Sequence, residues 1–159
     1  MCRLAEMTFE LDRFLPYRLS VAAGRVSRRF ARLYETESGL TNPEWRVLAH
    51  LAQAGTVSVR DIHARVDMDK SKVSRAAARL EDAGLVRKQD HETDRRLVAL
   101  SLTEEGAAMM ARLGAIAGAF QTELLAELGP SAKAFEDALN RLSAAGNTGD
   151  DDHDDDDAA

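Results

Sequence analysis

At 159 residues, 45% hydrophobic and 30% charged, the chain has the size and composition of an ordinary globular domain, which excludes a fibrous or wholly disordered protein. No apolar run approaches the roughly 20 residues needed to cross a bilayer, the charged segment Met1–Arg13 has no apolar stretch of secretory type, and Cys2 is the lone cysteine, so the expectation is a cytoplasmic protein with no membrane partner, no internal disulfide and no thiolate zinc cluster. The net charge of −6 is carried by seven aspartates between Asp150 and Asp157; residues 1–149 hold 21 basic and 20 acidic side chains, so a nucleic-acid partner has to be argued from where cations cluster.

Leu11, Leu15, Leu19, Ala22, Val26, Phe30 and Leu33 recur at steps of four or three, the mark of a helix with one apolar stripe. Pro16 is tolerated only near a helix start, so the main helix is predicted from Pro16 to about Glu37, ahead of Gly39 and behind a short turn. Thr41-Asn42-Pro43-Glu44 is a capping box with proline in the first turn, and opens a second helix through Trp45, Val47, Leu48 and Leu51 to Ala54-Gly55. Ser58 to Asp61 caps a short third helix, about Val59 to Val66. Asp69 caps a fourth, with Val73, Ala77 and Leu80 facing inward and Gly84 ending it.

Beyond Gly84 the period falls from 3.6 to 2. Leu85–Lys88 and Leu97–Leu102 read as a two-stranded hairpin with a polar tip. Thr103-Glu104-Glu105 then opens a helix that is apolar at Leu113, Ile116, Phe120, Leu124 and Leu128, and Pro130-Ser131 starts a last one carrying Phe135, Leu139 and Leu142. From Ala144 the chain turns to Gly, Asn and Asp; such a run of like charges buries nothing, so a disordered acidic tail is expected over 146–159. The fold class is therefore mainly α with a small β-hairpin wing. Helical dimerisation segments are expected at 1–40 and 104–145, around a winged helix-turn-helix at 41–103.

On the fourth helix Lys72, Arg75 and Arg79 are spaced three and four apart, so they share a face opposite Val73, Ala77 and Leu80, with Lys70, Ser71 and Ser74 close by. These groups suit phosphate contacts and base-edge hydrogen bonds, and arginine can grip guanine in two places. The plain alternative is a solvated charged face, since Glu81 and Asp82 lie on the same helix. At the hairpin tip, Arg95 and Arg96 can approach a narrow minor groove, with Asp94 placed to hold the Arg96 guanidinium; taken alone, the tip reads first as a charge-rich surface turn.

The run from Gly84 to Gly106, above all Asp94-x-Arg96 followed by Leu102-Thr103-x-x-Gly106, together with Leu40-Thr41-Asn42-Pro43-Glu44-Trp45, resembles the MarR family of bacterial regulators over about residues 11–143. The resemblance implies a winged helix-turn-helix in each subunit of an obligate homodimer whose first and last helices interlock. It also implies a cleft between the two regions that receives anionic aromatic ligands, a recognition helix at Asp69–Ala83 and a wing-tip arginine at Arg96. The Asp-rich tail and the position of Cys2 depart from a typical member.

The dimer has a physical argument of its own: the stripes on the first helix and the last two exceed what a three-helix-and-hairpin unit can cover. A two-fold pair of recognition helices then calls for an inverted-repeat site on double-stranded DNA. Tyr17 and Arg18 on the first helix, and Trp45, Arg46 and His50 on the second, offer the aromatic walls and cation that a small aromatic carboxylate or its thioester needs. They serve equally as core and interface residues, and Trp45 is read first as packing. Cys2 has nothing nearby to lower its pKa. His50, His63, His91 and His153 are scattered without metal-ligand spacing, so neither metal nor cofactor is expected. An enzyme is disfavoured by the lack of a phosphate loop, nucleophile elbow or metal motif. The expectation is a ligand-responsive DNA-binding transcriptional regulator, a repressor by preference; the alternative is a winged helix that binds protein without specific DNA binding.

Overall fold

The computed structural model describes residues 9–90 and 98–146. They fall into two compact units divided between Ala117 and Gly118. A 3-10 turn at Leu11–Arg13 precedes α1, Leu15–Ser38, which carries Pro16 in its first turn and ends at Gly39 in the left-handed region with φ 69°. Helix α2, Asn42–Ala54, opens on the expected capping box, with the Thr41 N–H donating to Glu44 Oε2 at 2.9 Å. Helix α3, Val59–Val66, is capped by Ser58 Oγ, which accepts from the Asp61 N–H at 3.1 Å and donates to its carboxylate at 2.7 Å. Helix α4, Lys70–Asp82, begins where Asp69 Oδ1 accepts from the Lys72 N–H at 2.8 Å. Each start signal is a side chain reaching three residues along the chain, so it acts independently of packing.

The strands depart from the expected pair. Besides β2, Val86–Asp90, and β3, Val98–Leu102, a two-residue strand β1, Val57–Ser58, lies just ahead of α3, and the antiparallel order is β1-β3-β2. Val57 pairs with Leu100 and Ser58 with Ala99, while Val86 pairs with Leu102 and Asp90 with Val98. β3 is the central strand, paired along both edges, and Ala99, Leu100 and Ser101 are buried in succession instead of alternating. Two residues are too few to show a period, so β1 left no mark in the pattern.

The core of the first unit is built from Val47, Leu48 and Leu51 of α2, Ile62 of α3, Val73, Ala77 and Leu80 of α4, Leu100 of β3 and Leu113 of α5, all buried. Helix α1 joins it through Tyr34, fully buried, and Phe30, half-buried, whereas Leu11, Leu15 and Leu33 from the predicted stripe are exposed. Helix α5 runs Glu104–Leu128, and Thr103 sets its start: its hydroxyl donates to the Gly84 carbonyl at 2.6 Å and accepts from the Gly106 N–H at 3.1 Å. In the second unit a 3-10 turn at Gly129–Ser131 leads to α6, Ala132–Gly146, where Phe135, Leu139 and Leu142 are exposed. Three short helices followed by a small antiparallel sheet make the first unit a winged helix-turn-helix, in a chain that is mainly helical. No helix among the described residues is long and apolar enough to cross a membrane.

Candidate nucleic-acid interface

Helix α4 is divided cleanly by burial. Val73, Ala76, Ala77 and Leu80 are buried, while Lys70, Ser71, Lys72, Ser74, Arg75 and Arg79 are all exposed. The 3.6-residue period thus carries every predicted position of this helix to the solvent side.

Each of the three face-sharing cations is held by a neighbour. Lys72 Nζ lies 3.1 Å from Asp69 Oδ2. Arg75 folds back along its own helix, donating from Nε to the Ser71 carbonyl and from Nη2 to the Ser71 hydroxyl, both at 3.3 Å. Arg79 Nη1 donates to Glu44 Oε1 on α2 at 3.5 Å. The amide N–H of Lys72, and then its side chain, hold the Asp69 carboxyl below its ordinary value, so the α4 cap stays charged into the acid range. Between the start of α2 and the outer face of α4 these groups line a shallow cleft of about 210 Å³, with Thr41, Pro43 and Glu44 on one wall and Lys72, Arg75 and Arg79 on the other. A convex cationic helix beside a cleft suits a polyanion that presents both phosphates and base edges.

The sheet is tied to this helix: Lys88 Nζ of β2 pairs with Glu81 of α4 at 2.8 Å, and Arg87 Nε donates to Ser101 Oγ of β3 at 3.0 Å. Asp94, Arg95 and Arg96, the predicted wing-tip residues, lie outside the described residues, as do Cys2, His91, His153 and the acidic tail. Sequence reasoning assigned Glu44 only to the helix cap. Its second role is set by α4, thirty-five residues further on, and leaves no local signal.

The predicted ligand set separates into two groups. Trp45 stacks on Tyr34 with ring centroids 5.5 Å apart and planes at 20°, and meets Phe30 edge-on at 5.1 Å. Arg46 Nη1 donates to the Val66 carbonyl at the end of α3, at 3.1 Å. His50 Nε2 and Tyr34 Oη are buried without a hydrogen-bond partner among the described residues. Burial, then the charge of Arg65, lowers the His50 pKa. Burial, then Glu35, raises that of Tyr34, against a smaller opposing pull from Arg46. Tyr17 and Arg18 are exposed at the far end of α1, seventeen and sixteen residues from Tyr34, or about 25 Å along the helix. One chain therefore does not gather all five residues into one pocket. Tyr34 was missed because the predicted stripe ran through its neighbour Leu33.

Comparison with known proteins agrees with this arrangement. The MarR family model matches residues 38–97, which cover α2 through β2 and the approach to β3. The chain is 29% identical over 137 residues to the HTH-type transcriptional regulator FarR of Neisseria gonorrhoeae, covering 76% of this chain and 94% of FarR. It is 37% identical over 70 residues to the HTH-type transcriptional repressor MdtR of Bacillus subtilis strain 168, covering 44% of this chain and 45% of MdtR. Among solved structures, NadR in complex with 4-hydroxyphenylacetate is 25% identical with a TM-score of 0.70, covering 81% of this chain and 92% of NadR. Cationic α4, the small three-stranded sheet and the likeness to transcriptional regulators point the same way: the chain is similar to the MarR family of transcriptional regulators, whose model matches residues 38–97.

Proposed function

We propose that the protein is a homodimeric repressor that reads an inverted-repeat operator through α4 and the wing and releases it when a small aromatic carboxylate, or its thioester, binds. The observation that carries the DNA reading is the exposed row Lys72, Arg75 and Arg79, each pre-positioned by a neighbouring group, so that less side-chain freedom is lost on contact with a duplex. Arg96, Arg95 and Asp94 complete the proposed contact set, with Lys70, Ser71 and Ser74 flanking it on α4.

Exposed Phe14, Leu15 and Tyr17 near the start of α1, and Phe135, Leu139 and Leu142 on α6, support the homodimer, because apolar side chains clustered on helices are covered in a stable assembly. On this reading the dimerisation segments are 1–40 and 104–145, flanking the reading domain 41–103. The ligand proposal draws on NadR, whose structure holds 4-hydroxyphenylacetate, and on the Tyr34, Trp45 and Arg46 group of this chain. Arg18 is assigned the carboxylate, within a site that the second subunit completes. A dimer seated on a promoter blocks polymerase by occupancy, which favours repression.

Selection of bound genomic fragments tests the whole reading. A recovered palindromic motif, bound with an affinity that falls log-linearly with salt at about −0.9 per neutralised phosphate, is the expected result. Absent or salt-insensitive binding would return the chain to the class of protein-binding winged helices.

A further inference from the structure

Glu44 is 7% exposed, yet it lines the outward-facing cleft beside α4. Its two oxygens have different tasks. Oε2 accepts from the Thr41 N–H at 2.9 Å and so closes the cap of α2, while Oε1 lies 3.5 Å from Nη1 of Arg79. Because the cap holds one oxygen, the carboxylate cannot swing away without leaving a helix-end donor unsatisfied. The Asp69–Lys72 pair on the same face differs in its surroundings: Asp69 also holds a helix cap, but both side chains are more than half exposed and well solvated, and the Lys72 side chain is free to swing to an incoming phosphate. Glu44 is a fixed negative charge set into a basic face, and Arg79, 68% exposed, stands over it.

That charge discriminates between the acceptors a duplex offers. A phosphate drawn to Arg79 brings a second negative charge within several ångströms of Glu44, and the two repel. Guanine O6 and N7 are neutral acceptors and bring no such penalty. We propose that Glu44 is a positioning residue that turns Arg79 from phosphate contact towards base-edge contact, so that this arginine contributes specificity instead of general affinity. The inference rests on the reading of α4 as the DNA-reading helix.

Glu44→Gln tests it, because glutamine also serves at this position of a capping box and removes only the charge. Binding would be measured across a salt series to the selected duplex and to a scrambled duplex of equal length. With Glu44→Gln the scrambled duplex should bind roughly threefold tighter or more at low salt, and its salt slope should steepen by about 0.9 as Arg79 takes up a phosphate. The ratio of specific to non-specific affinity should fall by the same factor. In an Arg79→Ala background the Glu44→Gln change should vanish. Arg79→Ala alone, at an exposed position, should weaken the selected duplex while leaving the scrambled affinity and slope unchanged; this arm decides the matter if Glu44→Gln lowers the melting temperature.

An unchanged ratio and slope in Glu44→Gln, or an equal loss on both duplexes with a slope shallower by about 0.9 in Arg79→Ala, would overturn the proposal. Failure of the wild-type protein to bind any selected duplex would overturn the DNA reading itself, and this inference with it.

Discussion

Gly106, in the first turn of α5, lies so close to Leu85 that a β carbon at this position would collide with the Leu85 carbonyl oxygen. That carbonyl already accepts the Thr103 N–H at 3.1 Å, and the Thr103 hydroxyl spans from the Gly84 carbonyl to the Gly106 N–H. The Leu-Thr-x-x-Gly segment is thus a clamp between the end of α4 and the start of α5, and glycine is its only occupant without backbone movement. Gly106→Ala should cost about 3 kcal/mol of unfolding free energy, read from a urea midpoint. A loss below about 0.5 kcal/mol would mean that α5 shifts freely, and the clamp would not be a constraint.

Arg75, anchored to Ser71, is expected to read a base. Arg75→Ala should weaken operator binding by about 1–3 kcal/mol and relax discrimination at one position of each half-site. Arg96→Ala should weaken binding chiefly where the flank is rich in A·T pairs. Equal losses on every sequence would make Arg75 a phosphate contact.

Sedimentation should give about twice the 17.4 kDa chain mass without DNA. Leu19→Asp or Leu139→Asp should break both assembly and folding, because each would set a charge in the proposed apolar interface. A folded monomer that still binds its operator would refute the dimer.

His50 links stability to pH. Burial, then Arg65, holds its folded-state pKa below the ordinary 6.5, so within the window between the lowered value and about 6.5 the unfolded chain binds more protons than the folded one. The stabilisation is complete above that window and declines as pH falls through it. His50→Phe should flatten the stability profile between about pH 7 and pH 5; an unaltered slope in that variant would remove His50 as its source.

Trp45 is the lone tryptophan and stacks on Tyr34, so its fluorescence reports directly on the proposed ligand region. Titration with 4-hydroxyphenylacetate should perturb the emission. Arg18→Ala should lower that affinity roughly tenfold, the scale of one charge-assisted hydrogen bond, and leave operator binding nearly intact. Unchanged affinity would take Arg18 out of the site. The ligand acts only if it prefers the conformation that misplaces α4.

Sequence by itself determined the elements whose signals are local. The Thr41–Glu44, Ser58–Asp61 and Asp69–Lys72 caps each lie within one turn, and they placed the starts of α2, α3 and α4. The outward face of Lys72, Arg75 and Arg79 followed from the helical period alone, since three and four residues return a side chain to the same side whatever the helix packs against. What the tertiary structure decided involves groups distant in sequence. Strand β1 exists because Val57 meets Leu100, Tyr34 is buried and Leu33 exposed because Trp45 approaches α1 from one side, and Glu44 faces Arg79 because α2 lies beside α4. A cap or a period is encoded in three or four neighbours and is fixed by backbone geometry. An apposition across 35 or 43 residues depends on the summed packing of a whole core, to which no single residue holds the key.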